Sequence, residues 1–338
     1  MKKKAFSGVQ PTGLLHIGNY LGAIRNWVGL LNRYECIFCI VDYHAITVPY
    51  DPLSMQEKIL QTAIAYIACG INPDKCTIFV QSHVPEHTEL TWILNTIAPV
   101  GRLQRMTQYK EKITKAAPLP FSLPQEDEKA AKMGLLDYPV LQAADILLYK
   151  AEVVPVGEDQ VQHLELAQDL ARRFNNEFGP LFPEPRTLLG SAPKILGLDG
   201  KKKMSKSMNN YISLMDSPDT IRKKIRKAVT DPIPLFSKGV VFSEQQLAVT
   251  NLLTIYLCFT GKNKEEVEEH FQGKGYRELK DELAEVIIEK LKPIQEKWRS
   301  LESQPDDIWE VLKKGAEKCR KIAGETMKEV KDRMGLLR

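Results

Sequence analysis

The stretch Lys4-Ala5-Phe6-Ser7-Gly8-Val9-Gln10-Pro11-Thr12-Gly13-Leu14-Leu15-His16-Ile17-Gly18-Asn19 changes its periodicity half-way along. Lys4 to Val9 reads as a short strand that breaks at Gln10-Pro11-Thr12-Gly13. Beyond the break Ile17, Leu21, Ile24, Val28 and Leu31 recur at alternating spacings of four and three, the stripe of a helix packed on a sheet. The alternation continues with a strand over 35–41, a helix over 54–68 and a strand over 76–81. Strand, helix, strand, helix, strand predicts an α/β fold with a parallel sheet. Ligands of such sheets bind beyond the carboxyl ends of the strands, where helix N-termini point at them.

Residues 113–137 interrupt the pattern with Pro118, Pro120, Pro124 and the acidic Glu126-Asp127-Glu128, which predicts a long mobile loop. A helix near 140–149, a strand over 153–156 and a helix over 160–174 follow. Val161, Leu164, Ala167, Leu170 and Phe174 mark the buried face of the last of these. From about residue 217 strands give way to amphipathic helices, as in Leu279, Leu283, Ile287, Leu291 and Ile294. The expected division is therefore 1–216 and 217–338.

Composition is that of an ordinary globular chain: 338 residues, 43% hydrophobic, 27% charged. A net charge of +4 permits an anionic partner without requiring one. Arg222, Lys223, Lys224, Arg226 and Lys227 crowd one segment, and Lys313, Lys314, Lys318, Arg320 and Lys321 another. Either fits phosphate contacts or a solvated helix face. The six cysteines form no disulfide-like framework, and the Cys36-x-x-Cys39 pair lies inside a run that reads as a buried strand. Core packing is the better reading of it than metal or redox chemistry. No apolar h-region follows the basic start and no apolar run reaches membrane-spanning length, so a cytoplasmic protein with no membrane contact is expected.

Three stretches carry chemistry. In the first, His16, Gly18 and Asn19 fall in the opening turn of a helix. Its unpaired N–H groups favour a phosphate, and the histidine can donate to developing negative charge; helix packing explains Gly18 and Gly22 about as well. In the second, Asp145 stands in the apolar helix Tyr138-Pro139-Val140-Leu141-Gln142-Ala143-Ala144-Asp145. A carboxylate there needs a hydrogen-bonding partner, either internal or a ligand. Gly157-Glu158-Asp159-Gln160 follows, where a strand runs into a helix, and its acids suit an N-cap or ribose hydroxyls. The third is Lys203-Met204-Ser205-Lys206-Ser207. Two lysines on a flexible loop can bracket a triphosphate and follow charge onto a leaving pyrophosphate; the alternative is a solvated basic loop.

Together these stretches resemble the class I aminoacyl-tRNA synthetases. His16-Ile17-Gly18-Asn19 is similar to that class's HIGH signature, and Lys203 to Ser207 matches KMSKS in full. The nearest resemblance is to the bacterial-type tryptophanyl-tRNA synthetases, carried by Phe6 to Gly13, Asp42 to Thr47, Met106 to Lys112, Gly157 through His163 and Gly315 to Lys318. It implies a Rossmann-like catalytic domain over 1–216, an all-helical anticodon-binding domain over 217–338, and a last helix that packs back on the catalytic half. It implies activation of L-tryptophan with ATP and Mg²⁺, transfer to the terminal ribose of tRNA(Trp), and a homodimer.

By the same resemblance, His16, Lys112, Lys203 and Lys206 are catalytic. ATP lies against Gln10, Pro11, Thr12, Gly18, Asn19, Gly157, Glu158, Asp159, Ile195 and the loop Lys203, Met204, Ser205, Lys206, Ser207. Tryptophan lies near Phe6, His44, Tyr138, Gln142, Val154, Val156 and Gln160, with Asp145 accepting the indole N–H. No protein-bound metal is implied. Asn19 departs from the HIGH pattern and supplies hydrogen bonds without a titratable charge. Gln142 stands where some relatives carry methionine. The alternatives are the tyrosyl enzyme, whose pocket aspartate is similar, a small nucleotidyltransferase and a catalytically inactive synthetase paralogue. Ala143-Ala144 before Asp145 leaves room for an indole where the tyrosyl enzymes tend to carry a tyrosine.

Overall fold

A computed structural model of the chain describes residues 2–11, 13, 15–107, 109–110, 132–157, 160–189, 195–206, 208–231 and 247–337. Strand β1 (Lys4–Val9) leads into α1 (Ile17–Asn19), which continues through a π-helical turn (Tyr20–Ile24) into α2 (Arg25–Leu30). Then come β2 (Glu35–Ile40), α3 (Asp42–Ala45), α4 (Met55–Ala68), β3 (Cys76–Val80), α5 (Glu86–Asn95), α6 (Val100–Leu103), α7 (Met133–Leu147), β4 (Val153–Val156), α8 (Val161–Phe178) and β5 (Arg186–Leu189). Among the described residues only helices follow: α9 (Pro218–Lys227), α10 (Leu247–Thr260), α11 (Lys264–Phe271), α12 (Tyr276–Glu302) and α13 (Pro305–Met334).

The five strands are parallel in the order β3-β2-β1-β4-β5. The chain steps outward from β1 to β3, then returns to the far side of β1 for β4. That reversal opens a crevice at the carboxyl ends of β1 and β4. Pleating sends alternate residues to two cores. Cys36, Phe38 and Ile40 pack with Trp27 and Tyr66 on one face, and Ile37 and Cys39 with Phe6, Phe79 and Leu170 on the other. Three residues apart in one strand, Cys36 and Cys39 therefore point to opposite faces and cannot converge on one ligand. Burial raises both thiol pKa values, Cys36 to about 11.

Some local expectations change. Residues 133–137, expected to close a loop, form the start of α7, where Leu136 packs on the second core despite Pro139 inside the helix. Packing of the apolar face outweighs one missing helical hydrogen bond. The rest of that expected loop lies mostly outside the described residues. Helices α5 and α6 and strand β5 were not anticipated. The helical stripe drifts to Trp27 and Leu30 and leaves Val28 half-buried, because the π turn advances more residues per turn than an α-helix.

Of the first basic cluster, Arg222 grips Glu285 of α12 at 2.7 and 3.0 Å, Arg226 reaches Asp281 at 3.4 Å, and Lys224 pairs with Asp216 at 2.6 Å. These three charges fasten α9 to its surroundings. Lys223 and Lys227 remain exposed. No helix among the described residues is long and apolar enough to cross a membrane.

Helix α13 lies along β3, the edge strand of the sheet, and covers it. Its small residues Gly315, Ala316, Cys319 and Ala323 allow the approach, and a Cβ at Gly315 would collide with the Ile78 carbonyl. Gly315→Ala should therefore cost about 1–3 kcal/mol through overpacking against backbone. The check is the urea midpoint and Tm; an unchanged Tm would mean that α13 rides outward freely.

Candidate active site

His16 is the N-cap of α1. Its Nδ1 accepts the Asn19 N–H at 3.2 Å, while the Asn19 side-chain carbonyl accepts the His16 N–H at 3.2 Å. This reciprocal cap leaves Nε2 as the protonated ring nitrogen, a fixed donor. Burial, with the nearby Lys206 charge second, lowers the His16 pKa from 6.5 to about 4, so the ring is neutral at neutral pH. Asn19, expected to supply hydrogen bonds to a ligand, spends its carbonyl on the cap. The space over Gly18 is taken as well: a Cβ there would stand 2.9 Å from His16 Nδ1 and 3.5 Å from the Met204 Cβ. Gly18 thus leaves room for the His16 cap, whereas Gly22 faces open space.

The 203–206 segment is held from below. Met204 is buried in the first core. Ile195, expected beside the adenine, is likewise buried in that core. Asn210 fastens the loop: its carbonyl accepts the Ser205 N–H at 2.8 Å, and its amide donates to Asp199 at 3.0 Å and to the Lys203 carbonyl at 3.2 Å. Lys203 also bridges to Leu196 through its backbone. The ammonium of Lys206 reaches back to Gly13, which adopts φ +78° and whose hypothetical Cβ would lie 3.4 Å from Lys206 Nζ, 3.3 Å from Gln61 Oε1 and 3.6 Å from Lys58 Cγ. Burial first, and Lys58 second, lower the Lys206 pKa. Two lysines from distant segments thus adjoin the end of β1, beside the neutral His16.

On the other face of the sheet Asp145 is 1% exposed. Its Oδ2 accepts from His44 Nε2 at 2.9 Å, and its Oδ1 from Gln81 Nε2 at 2.7 Å and His87 Nδ1 at 2.6 Å. Burial alone would raise the carboxyl pKa, but the hydrogen bonds from His44 and His87 prevail and hold it well below the usual carboxylate range. The internal partners are therefore two imidazoles and an amide. His44 stands edge-on to Tyr138, whose hydroxyl bonds His163 Nε2 at 2.8 Å. Phe6 and Val154 share this face, half-buried Val156 packs against it, and Gln142 lies one turn before Asp145 on α7. Gln160 is the N-cap of α8 and is half-buried.

The structure thus brings His16, Lys206 and Gly13 together, and separately Phe6, His44, Tyr138 and Asp145. Pro11 is buried, Gln10 and Gly157 are exposed. Thr12, Lys112, Glu158, Asp159 and Ser207 lie outside the described residues. Sequence reasoning missed Lys58, Gln61, Gln81, His87 and Asn210. His87 had a signal: with Leu90, Thr91 and Leu94 it forms a helical stripe of buried positions, and a histidine on such a stripe needs a polar partner.

A profile described as tRNA synthetases class I (W and Y) matches residues 2–292. The chain belongs to that family. It is similar to the tryptophan–tRNA ligase of Caldanaerobacter subterraneus, at 49% identity over 99% of each chain. Among solved structures it resembles the tryptophanyl-tRNA synthetase of Mycoplasma pneumoniae, with a TM-score of 0.89 and 32% identity over 100% of this chain and 99% of that one. It also resembles that of Campylobacter jejuni in complex with ADP and tryptophan, with a TM-score of 0.82 and 36% identity over 98% and 100%. As a class I synthetase the chain is an enzyme, and its buried Met204 and neutral His16 are how this chain seats the two signatures of the class.

The low His16 pKa has a consequence for stability. An unfolded histidine titrates near 6.5, so below that pH the unfolded chain takes up a proton that His16 refuses until about 4. This contribution is present above pH 6.5, declines through the window and is lost below about 4. His16→Asn, which keeps a capping side chain and removes the titration, should flatten the dependence of the urea midpoint on pH across that window. An identical slope in both proteins would return His16 to ordinary solvation.

Proposed function

We propose that the crevice at the ends of β1 and β4 binds ATP, as its magnesium complex, beside L-tryptophan and joins them as tryptophanyl-adenylate. The enzyme is a tryptophan–tRNA ligase, and full-length likeness to ligases of that specificity sets the tyrosyl alternative aside. The observation that carries the site reading is the meeting of Lys206 and Lys58 at Gly13, with neutral His16 near Lys206. The Lys206 ammonium, whose charge is disfavoured by burial and by Lys58, is favoured by a polyanion. The carboxylate of tryptophan attacks the α-phosphorus in line, pyrophosphate leaves, and positioning with electrostatics supplies the rate; no covalent enzyme intermediate is required. Lys206 and Lys203 follow the charge onto the pyrophosphate, and His16 Nε2–H donates to an oxygen of the transferring phosphate. Lys112 joins them from its own loop.

Tryptophan enters on the second face of the sheet, with Asp145 receiving the indole N–H and Phe6, His44, Tyr138, Gln142, Val154, Val156 and Gln160 forming the walls. Gln10, Pro11, Thr12, Gly157, Glu158 and Asp159 border the nucleotide. Met204, Gly18 and Ile195 act as anchors beneath it. The adenylate then passes its acyl group to the terminal ribose of tRNA(Trp), whose anticodon is read by 217–338. Exposed Trp92, Val100 and Met133 form the kind of apolar surface that a second copy covers, in keeping with a homodimer. All six cysteines are free thiols, which suits the reducing cytoplasm as its place of work.

Lys206→Ala should slow tryptophan-dependent ATP–pyrophosphate exchange by about a hundredfold, the cost of one preorganised donor, with the KM for tryptophan little changed. Unchanged exchange would make the loop a solvated surface feature. For the second step, Lys223 and Lys227 are exposed cations of α9. Reversing both to glutamate should weaken tRNA charging in a salt-dependent way and leave exchange intact; a joint fall of both activities would assign α9 to the fold alone.

A further inference from the structure

Asp145 has two carboxylate oxygens with about four acceptor sites. Oδ1 is saturated by Gln81 and His87, at 2.7 and 2.6 Å, while among the described residues Oδ2 takes only His44, at 2.9 Å. One oxygen is pinned and the other keeps a site open for a donor. Resting on the reading of Asp145 as the indole acceptor, we propose that His87, locked by Tyr149, is the positioning residue that holds the carboxylate in its receiving orientation and so sets discrimination for tryptophan.

His87 does not line the pocket itself. It is 0% exposed, stacks on Phe79 with ring centroids 5.7 Å apart, and acts on a substrate only through Asp145. Because an ionised carboxylate only accepts, His87 Nδ1 must carry a hydrogen. Its Nε2 lies 2.7 Å from the Tyr149 hydroxyl, which donates to it. Phenol, imidazole and carboxylate therefore form one chain in which every donor points the same way, and each bond strengthens the next. Packing holds the links in place: Tyr149 stacks on Phe6 at 5.6 Å and 12°, and Phe6 belongs to the same wall as the expected indole. Remove the phenol hydroxyl and the imidazole is free to exchange tautomers, one of which presents a lone pair to the carboxylate.

The test is steady-state ATP–pyrophosphate exchange with tryptophan and with the analogue that carries sulfur in place of the ring N–H. The proteins are the parent, His87→Leu, His87→Asn, Tyr149→Phe and Asp145→Asn. His87→Leu should raise the KM for tryptophan about tenfold or more, the cost of a hydrogen bond to a charged group, and narrow the gap between the two ligands. Its kcat and KM for ATP should stay within about twofold, as expected when substrate binding alone is lost. His87→Asn, whose amide takes the place of Nδ1–H, should recover most of the difference. Tyr149→Phe, a single-oxygen deletion that keeps the packing, should fall between them. ¹⁵N-histidine spectra of the parent should show His87 Nε2 as an unprotonated acceptor, and Tyr149→Phe a tautomer mixture. Equal losses in kcat and both KM values, with Asn no better than Leu, would make His87 merely structural and overturn the proposal; so would an imidazolium at His87. Should Asp145→Asn leave discrimination intact, the reading of Asp145 itself falls. If Asp145→Asn narrows the gap while His87→Leu does not, only the role of His87 falls.

Discussion

Two backbone hydrogen bonds join segments far apart in the chain: Ile17 N–H to the Ile212 carbonyl at 3.0 Å, and Leu214 N–H to the Leu15 carbonyl at 2.9 Å, with His16 facing Ser213 between them. The start of α1 is thereby paired with the exit of the lysine loop. Residues 195–200 and 210–216 are irregular, largely covered backbone, and such backbone must find partners for each N–H and carbonyl. Three buried amide side chains supply them. Asn210 clamps the loop onto itself, Asn251 of α10 bonds the 196–197 backbone on both its N–H and carbonyl sides, and Gln295 of α12 donates to the carbonyls of Leu214 and Asp216. Amides suit the task because they carry donor and acceptor together and no charge to desolvate.

The two sides of the sheet handle charge in opposite ways. Around Gly13 like charges are gathered, and Lys58 disfavours the charge of Lys206. Around Asp145 an anion is buried and satisfied from three directions, which makes it rigid. A phosphate site profits from gathered positive charge, since the ligand is itself highly charged. A side-chain pocket profits from fixed geometry, because a single N–H must be told from its absence. Both sites hang on the same β1 strand, with Phe6 on one face and the Gly13 turn at its end.

The α/β half was legible because its signal is local. Strand, turn and helix each write a period into a few consecutive residues, and β1, β2, β3, β4, α4 and α8 lie within a few residues of where those periods place them. The lysine loop was legible for a different reason: Lys203 to Ser207 matches its family's signature as a contiguous string. Helix α5 was missed because Thr91 and His87 dilute its apolar stripe, although both are buried in the fold.

What the sequence by itself determined was the alternating architecture and the family, and it singled out His16, Lys206 and Asp145 as candidate chemistry-bearing groups. Tertiary structure alone decided what each of them touches. Met204 looks solitary in the string, yet it is core, because the segment folds under Gly18. Arg222 and Arg226 look like phosphate ligands, yet they meet the acids of α12. Asp145 looks in need of one partner and receives three, from α3, α5 and the turn after β3. The physical reason is common to all of these. Periodicity records which way a side chain points from its own element, whereas burial and pKa depend on groups that the crossovers of the sheet bring from elsewhere in the chain.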